Sequence, residues 1–408
     1  MRGLRPTARG WVLAGAGVCG LAVGSANGAA VPYVLGCVVL ALVIVSLASV
    51  LFSLRGITLE RGTIGPAIAG QFVSMPVIIR NRSGRTRHSV LILETCAFAA
   101  EPLTRTVVTG IKGRARRVVA RRILAMRRGE YRLADLTLRA TDAAGLFFRE
   151  RRFRLPQSVL VLPGTESLPD LRLQPAYAMA STTGEAVSAS GQSLDFYAIR
   201  EYNPTDGLRR IHWRSSARVG RLMVREYERQ AVSSVAVLVD AEAPLVSGSG
   251  QWSNLEYQVR AAASVCRHVA GSYCQIALGL GGARQVLMPP RLASQAEQKL
   301  LYALATLTPG PVPLADVAFA LAPTLPPHTV VFCFSLGTPV GLAAAVRILV
   351  EQRLDVRWLC ARRRVFAETR PGSQRLRSTG IRTDSGWPVA VAELHPGMRL
   401  AQALALAG

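Results

Sequence analysis

Lysine is almost missing from this chain of 408 residues: only Lys112 and Lys299 occur among 49 basic side chains. With 25 acids, the formal net charge is +24, and arginine carries nearly all of it. Histidine is equally sparse. His88, His212, His268, His328 and His395 are dispersed, and none stands in the H-E-x-x-H spacing of a helical zinc site. Seven cysteines are scattered without C-x-x-C spacing, which excludes a zinc knuckle and a disulfide framework and reads as buried, reduced thiols. A G-x-S-x-G elbow and a P-loop are both missing. Gly279-Leu280-Gly281-Gly282 lacks the Lys-Ser/Thr that cradling a phosphate requires, so it reads as a turn. No RNP-like aromatic strand, GxxG loop in KH context or finger spacing marks a nucleic-acid module.

Charge of either sign is absent from residues 10 to 54. A bilayer is crossed by roughly 20 apolar residues, so this run fits two spans, about 11–27 and 31–54, joined near Asn27-Gly28 and Pro32. The first is rich in Gly and Ala, which lets helix backbones approach closely. A cleaved signal peptide is the competing reading of the first run, with Arg2, Arg5 and Arg9 as its basic start. The second run would still need a membrane, so a hairpin over residues 1–55 is the simpler account. Arg2, Arg5 and Arg9 before it, and Arg55 and Arg61 after it, place both ends in the cytoplasm by the positive-inside rule. The expectation is a multi-pass cell-membrane protein with a cytoplasmic soluble part.

Half the residues are hydrophobic, and the length is enough for two or three cores. Residues 56–163 read as short alternating strands: Val73 to Ile79, Val90 to Glu94, Arg117 to Leu124, Tyr131 to Arg139 and Leu160 to Leu162. Turn signals at that spacing predict a small antiparallel sandwich. Residues 164–192 are poor in bulky apolar side chains and read as a linker. From 234 to 408 strands alternate with helices: Val235–Val239, a helix at Asn254–Ala270, a strand at Cys274–Leu280, a helix from Ser294 to Leu307, Val330–Phe334, a helix from Leu342 to Glu351, and Val356–Leu359. Such alternation predicts a parallel sheet covered on both faces. Asp240 ends its first strand, at the edge where ligands bind in such folds.

Between these parts, residues 193–233 hold the densest polar pattern of the chain. Arg200-x-Tyr202-x-Pro204-x-Asp206-x-x-Arg209-x-Ile211-x-Trp213-x-x-x-Ala217-Arg218 combines arginines, an acid, aromatics and a Pro-Thr-Asp-Gly turn. This arrangement resembles the signature of domain-of-unknown-function family 58, with Thr205 where the family usually has Gly. Upstream, Arg128-Gly129-x-Tyr131 and Asp142-x-x-Gly145-Leu146-Phe147 also resemble the family, with Ala143 in place of a usual proline. These two sets read as structural, their glycines for turns and their aromatics for a core.

The resemblance implies an α+β multidomain, two-pass bacterial membrane protein with a β-rich segment and a C-terminal von Willebrand A-like (Rossmann-type) α/β domain. It also implies association with a MoxR-type AAA+ ATPase. The metal site of von Willebrand A domains, Asp-x-Ser-x-Ser, is degenerate here. Asp240-Ala241-Glu242-Ala243-Pro244 lacks both serines, and Ser335 stands where a later carboxylate is expected, so no metal and no cofactor are implied. The expectation is a non-catalytic, membrane-tethered adaptor with a lipid bilayer, acidic lipids and an AAA+ ATPase as partners. The signature reads first as architecture, with Tyr202 and Trp213 packed and Arg200, Asp206, Arg209 and Arg218 satisfying one another. It reads second as a docking surface, since Trp, Tyr and Arg anchor interfaces. His212 reads as structural. The alternative function is a basic peripheral-membrane or nucleic-acid binder acting through its arginines. A GC-rich genome's preference for arginine codons explains the same charge without any anionic partner.

Overall fold

The computed structural model describes residues 3–168, 171, 173, 196–202, 211–227, 233–367, 381–382 and 389–406. The chain divides into two compact units: Met1–Gly164 with Leu301–Leu307, and Thr165–Leu300 with Thr308–Gly408. Most of the expected 164–192 linker lies outside the described residues.

The first unit begins with a strand, β1 (Leu4–Pro6), and two apolar helices, α1 (Ala8–Ala26) and α2 (Ala30–Ser53). Both helices are long and apolar enough to cross a bilayer. They pack as a hairpin, the arrangement of a multi-pass membrane protein. Glycine explains how closely they meet. A Cβ at Gly36 would stand 2.7 Å from the Leu21 nitrogen and 2.9 Å from the Gly17 oxygen, and one at Gly24 would stand 2.6 Å from the Tyr33 nitrogen. Dispersion between closely approaching backbones replaces the hydrophobic drive that lipid cannot supply. The apolar side chains that remain exposed, such as Val31, Val34 and Ile44, face outward where lipid would cover them.

After the hairpin come β2 (Ile57–Arg61), β3 (Ala67–Ile68), β4 (Phe72–Ser74), β5 (Val77–Asn81), β6 (Arg87–Thr95), β7 (Leu103–Ile111), β8 (Arg116–Val119), β9 (Arg122–Leu124), β10 (Gly129–Thr141) and β11 (Phe147–Leu162). The large sheet has the order β1-β11-β10-β6-β7, with β3 added to β11; β2-β5-β8 and β4-β9 form two smaller sheets. One apolar cluster joins Ile57, Leu59 and Ile79 to Ile92, Leu136 and Leu138, and a second joins Val73 and Met75 to Phe98, Leu133 and Val159. The expected strand Val73–Ile79 is cut at Pro76, which cannot donate to a ladder, and its halves enter different sheets. Arg117–Leu124 divides in the same way.

β11 is far longer than the three residues expected. Its first half, Phe147-Phe-Arg-Glu-Arg-Arg-Phe-Arg, alternates too weakly to read as a strand, yet β10 pairs with it almost throughout. β1 was expected only as a basic flank. It pairs with β11 through Leu4↔Arg149 and Pro6↔Phe147.

The turn between β10 and β11 seats the hairpin. Asp142 accepts the Phe147 N–H at 2.7 Å and the Ala144 N–H at 3.1 Å, and Gly145 supplies φ +70°. Thr7 donates its hydroxyl to Gly145 O at 2.8 Å and accepts the Gly10 N–H at 3.2 Å, so it caps α1 while holding this turn. In the other upstream motif, Gly129 has φ +136°, and the Tyr131 hydroxyl donates to Arg128 O at 3.0 Å while its ring meets Phe98. The Arg128 guanidinium donates to Leu304 O and Leu307 O, both at 2.9 Å, carbonyls that this same unit includes.

The second unit contains β12 (Phe196–Glu201), α3 (Trp213–Val219) and β13 (Met223–Tyr227), then β14 (Ser233–Val239), α4 (Asn254–Ala270), β15 (Cys274–Leu280), β16 (Val286–Leu292), α5 (Ala293–Thr306, of which the part from Leu301 onward belongs to the first unit) and α6 (Leu314–Leu321). They are followed by β17 (Val330–Ser335), α7 (Val340–Glu351), β18 (Asp355–Cys360), α8 (Arg363–Ala367), β19 (Ile381–Arg382), β20 (Val391–Glu393) and α9 (Leu400–Leu406). The sheet order is β16-β15-β14-β17-β18-β20-β19, parallel from β15 to β20 and antiparallel at both edges. The strand–helix alternation expected on sequence is therefore present. β14 is almost wholly apolar because helices cover both faces of a parallel sheet. Chain order along the sheet reverses direction at β14, so its C-terminal end is the topological switch point.

Candidate functional site

Two places invite a functional reading: the C-terminal edge of the parallel sheet and the signature segment.

At the sheet edge, Asp240 follows β14 and is 1% exposed. Its Oδ1 accepts the Glu242 N–H at 3.0 Å, and its Oδ2 accepts the Leu336 N–H at 3.1 Å. Burial pushes its pKa up, and the two N–H bonds work against that rise. Neighbouring polar groups are engaged in the same manner. Asn254 donates to Leu245 O at 2.9 Å and Ala361 O at 3.2 Å, and accepts the Ser247 N–H at 2.8 Å. The Trp358 indole N–H donates to Ser335 Oγ at 2.8 Å, and Gln258 donates to Ser335 O. These side chains tie the protein's own loops together at the edge where related architectures hold ligands. Among the described residues, no group of three His, Cys, Asp or Glu gathers as a metal cage.

The signature is built differently. β12 and β13 pair antiparallel from Phe196↔Tyr227 to Glu201↔Met223, with Arg200 opposite Val224. Tyr202 donates its backbone N–H to Leu222 O, and His212 donates its N–H to Met223 O, both at 2.8 Å. Ile211 bridges to Val224, and both are buried. The helix α3 then starts with a side-chain cap, as the His212 ring accepts the Ser215 N–H at 3.3 Å. It ends at Gly220 in the left-handed conformation, φ +73°. Ser216 holds the helix down: it donates to His212 O at 3.1 Å and accepts the Met223 N–H at 2.8 Å. Sequence reading missed Ser216, and a small polar residue one turn after a capping His was its only trace.

With Ser216 inward, Trp213 and Ala217 stand one turn apart facing out, as do Arg214 and Arg218. Trp213 is 67% exposed, Val219 57% and Leu222 43%. Arg221 pairs with Glu201 at 3.6 Å, both at the surface. Of the expected site residues, the structure brings together Tyr202, Ile211, Trp213, Ala217 and Arg218 with the backbone of Arg200. Pro204, Asp206 and Arg209 lie outside the described residues. Ile211 is buried and Tyr202 is half-buried. Trp213 is exposed, because a helix of seven residues anchored through Ser216 turns its first residue to solvent.

The family model for a protein of unknown function, DUF58, matches residues 198–331. The chain contains a DUF58 domain. The DUF58 match runs from the middle of β12, through the signature and β14, to the second residue of β17, so it takes in both Trp213 and Asp240. No curated protein matches the chain. Among solved structures, an aerotolerance-related membrane protein from Bacteroides fragilis NCTC 9343, carrying multiple mutations to serines, is similar at 11% identity and a TM-score of 0.27. That likeness covers 43% of this chain and 87% of the other. Beta-glucosidase 3B from Thermotoga neapolitana, in complex with alpha-D-glucose, is similar at 16% identity and a TM-score of 0.14, covering 24% of this chain and 17% of that one. Neither superposition is close enough to define the fold.

Proposed function

We propose that this chain is a membrane-tethered, non-catalytic adaptor whose DUF58 signature docks a partner protein. The observation that carries this reading is Trp213: a large aromatic, two-thirds exposed, on a helix pinned by Ser216 and flanked by exposed Arg214 and Arg218. Aromatic and arginine side chains anchor interfaces, and removal of such an anchor typically costs 2 kcal/mol or more of binding, about 30-fold. The engagement of Asp240 and its neighbours with backbone groups supports a scaffold in place of a ligand-binding edge. The parallel order around β14 supports a von Willebrand A-like assignment for the second unit.

The hairpin supplies location. Arg5 and Arg9 at its start, with Arg55 at its end, favour a cytoplasmic soluble part. Arg61, counted with them on sequence, is buried in an ion pair with Glu94 and adds nothing at the membrane surface. The pairing of β1 with β11 supports retention of the first helix, since cleavage after it would strip a strand from the sheet. By resemblance, the partner is a MoxR-type AAA+ ATPase and the process is maturation or assembly of other proteins.

The test is crosslinked co-purification from native membranes, comparing wild type with Trp213→Ala and with Arg209→Ala/Trp213→Ala. Because Trp213 is exposed, its truncation leaves stability nearly unchanged. An AAA+ ATPase recovered with wild type and lost with both variants is the expected outcome. Equal recovery with the variants would move the contact off the signature. Recovery of no ATPase, with salt-sensitive binding to polyanions, would favour the arginine-driven alternative.

A further inference from the structure

Inside the first unit, two arginines share one carboxylate. Glu94 on β6 pairs with Arg61 through Oε1 and with Arg121 through Oε2, the latter at 2.5 Å, and all three side chains are more than nine-tenths buried. Among the described residues, two positive charges face one negative, which leaves an excess cation in the interior. Arg61 Nε donates to Leu155 O at 2.6 Å and Arg121 Nε to Met75 O at 3.2 Å. Arg61 Nη2 and Arg121 Nη1 remain buried with no partner among the described residues. An unpartnered buried N–H costs about 1–3 kcal/mol, and more on a charged group, so such a pair is a poor way to build a core unless something else answers it.

Arg61 is the least buried member of the cluster, with 7% of its side chain exposed. Arg61 lines a cleft of about 350 Å³ together with Thr63, Arg154 and Gln157. Arg154 is exposed on β11 and brings a second guanidinium to the same opening. Thr63 adds a hydroxyl, and the Gln157 amide can serve as donor or acceptor according to its rotation. Forked guanidinium donors match the planar or tetrahedral oxygens of carboxylate and phosphate better than any other ligand chemistry. Liquid water occupies roughly 30 Å³ per molecule, so the cleft has room for such a group with its remaining hydration.

We propose that this cleft is an oxyanion site, in which a phosphate- or carboxylate-sized group sits between Arg61 and Arg154 and neutralises the excess charge of the Arg61–Glu94–Arg121 cluster. The site lies wholly within the first unit and stands independently of the docking role given to Trp213.

The experiment is thermal unfolding of the detergent-solubilised chain, with sodium phosphate or sodium acetate replacing sodium chloride at fixed ionic strength. A bound anion raises the midpoint saturably, by about 3 °C at tenfold excess over its dissociation constant. That rise is expected for wild type, is retained in part by Arg154→Lys, and is absent from Arg154→Ala, which leaves the buried triad untouched. Screening of the +24 charge acts on all variants alike, so the difference between them isolates the site. A rise with both salts assigns carboxylate and phosphate alike, and a rise with phosphate alone assigns phosphate. No rise, or an equal rise in Arg154→Ala, overturns the proposal. Calorimetric titration of phosphate into both proteins gives the same decision without unfolding them: heat in wild type alone supports the site, and no difference overturns it.

Discussion

Asp240 Oδ2 accepts the backbone N–H of Leu336 at 3.1 Å, joining the end of β14 to the loop that leaves β17. Its pKa is raised, chiefly by burial. The folded state therefore binds this proton more tightly than the unfolded chain does. Stability contributed by the protonated form is complete below the ordinary carboxylate pKa of about 3.9. It is lost as pH rises through the raised value, and flat above it. Denaturant unfolding across acid to neutral pH should show that decline in wild type. Asp240→Asn should remove the slope, and Asp240→Ala should lower stability at every pH by about 1–3 kcal/mol through the orphaned N–H groups. A slope unchanged in Asp240→Asn would show that another group titrates.

The hairpin makes a paired prediction from two glycines. A Cβ at Gly36 would collide with the Leu21 and Gly17 backbones, whereas one at Gly15 meets nothing within 4 Å. Gly36→Val should lower the thermal midpoint in micelles, at a cost of about 1–3 kcal/mol for overpacking. Gly15→Val should leave the midpoint where it was. Equal effects of the two substitutions would contradict the crossing geometry.

Among the described residues, Glu94 is the single counter-charge of two buried arginines. Glu94→Gln keeps the shape and removes the charge, leaving both guanidinium groups without an ionic partner. Breaking a buried pair in this way costs about 3–5 kcal/mol. The expected result is a first unit that becomes protease-sensitive at temperatures where wild type resists. Wild-type resistance in Glu94→Gln would mean that water reaches the cluster freely.

Four of the five cysteines outside the hairpin should be silent in the native protein. Cys96, Cys266, Cys333 and Cys360 are fully buried. Burial pushes the Cys96 and Cys360 thiols up to about 11 and that of Cys266 to about 12. Little thiolate exists at pH 8. A water-soluble maleimide should modify none of these four before denaturation and all of them after it. Labelling in the native state would locate an opening in the core around the modified residue.

Much of the organisation was legible because it rests on composition and period. Forty-five residues without charge can only be membrane or core, and apolar strands alternating with amphipathic helices can only close as a covered parallel sheet. The strand Val235–Val239 and the helix Asn254–Ala270 were read almost to their ends. Local chemistry also marked the turns at Gly129 and Gly145, since both need a positive φ.

What could not be read depends on partners distant in the chain. Residues 4–6 become a strand only because β11 offers its edge. Arg61 looks like a membrane-flanking charge until Glu94, thirty-three residues later, removes it from solvent. Trp213 reads as core by type, yet Ser216 fixes the face of α3 and turns the ring outward. Composition and hydrophobic period are properties of neighbouring residues, so the sequence by itself determined the membrane hairpin, the β-rich segment and the α/β unit. Burial and charge pairing are properties of residues that meet only on folding, so tertiary structure alone decided which arginines are interior, which carboxylates are occupied and which aromatic faces solvent.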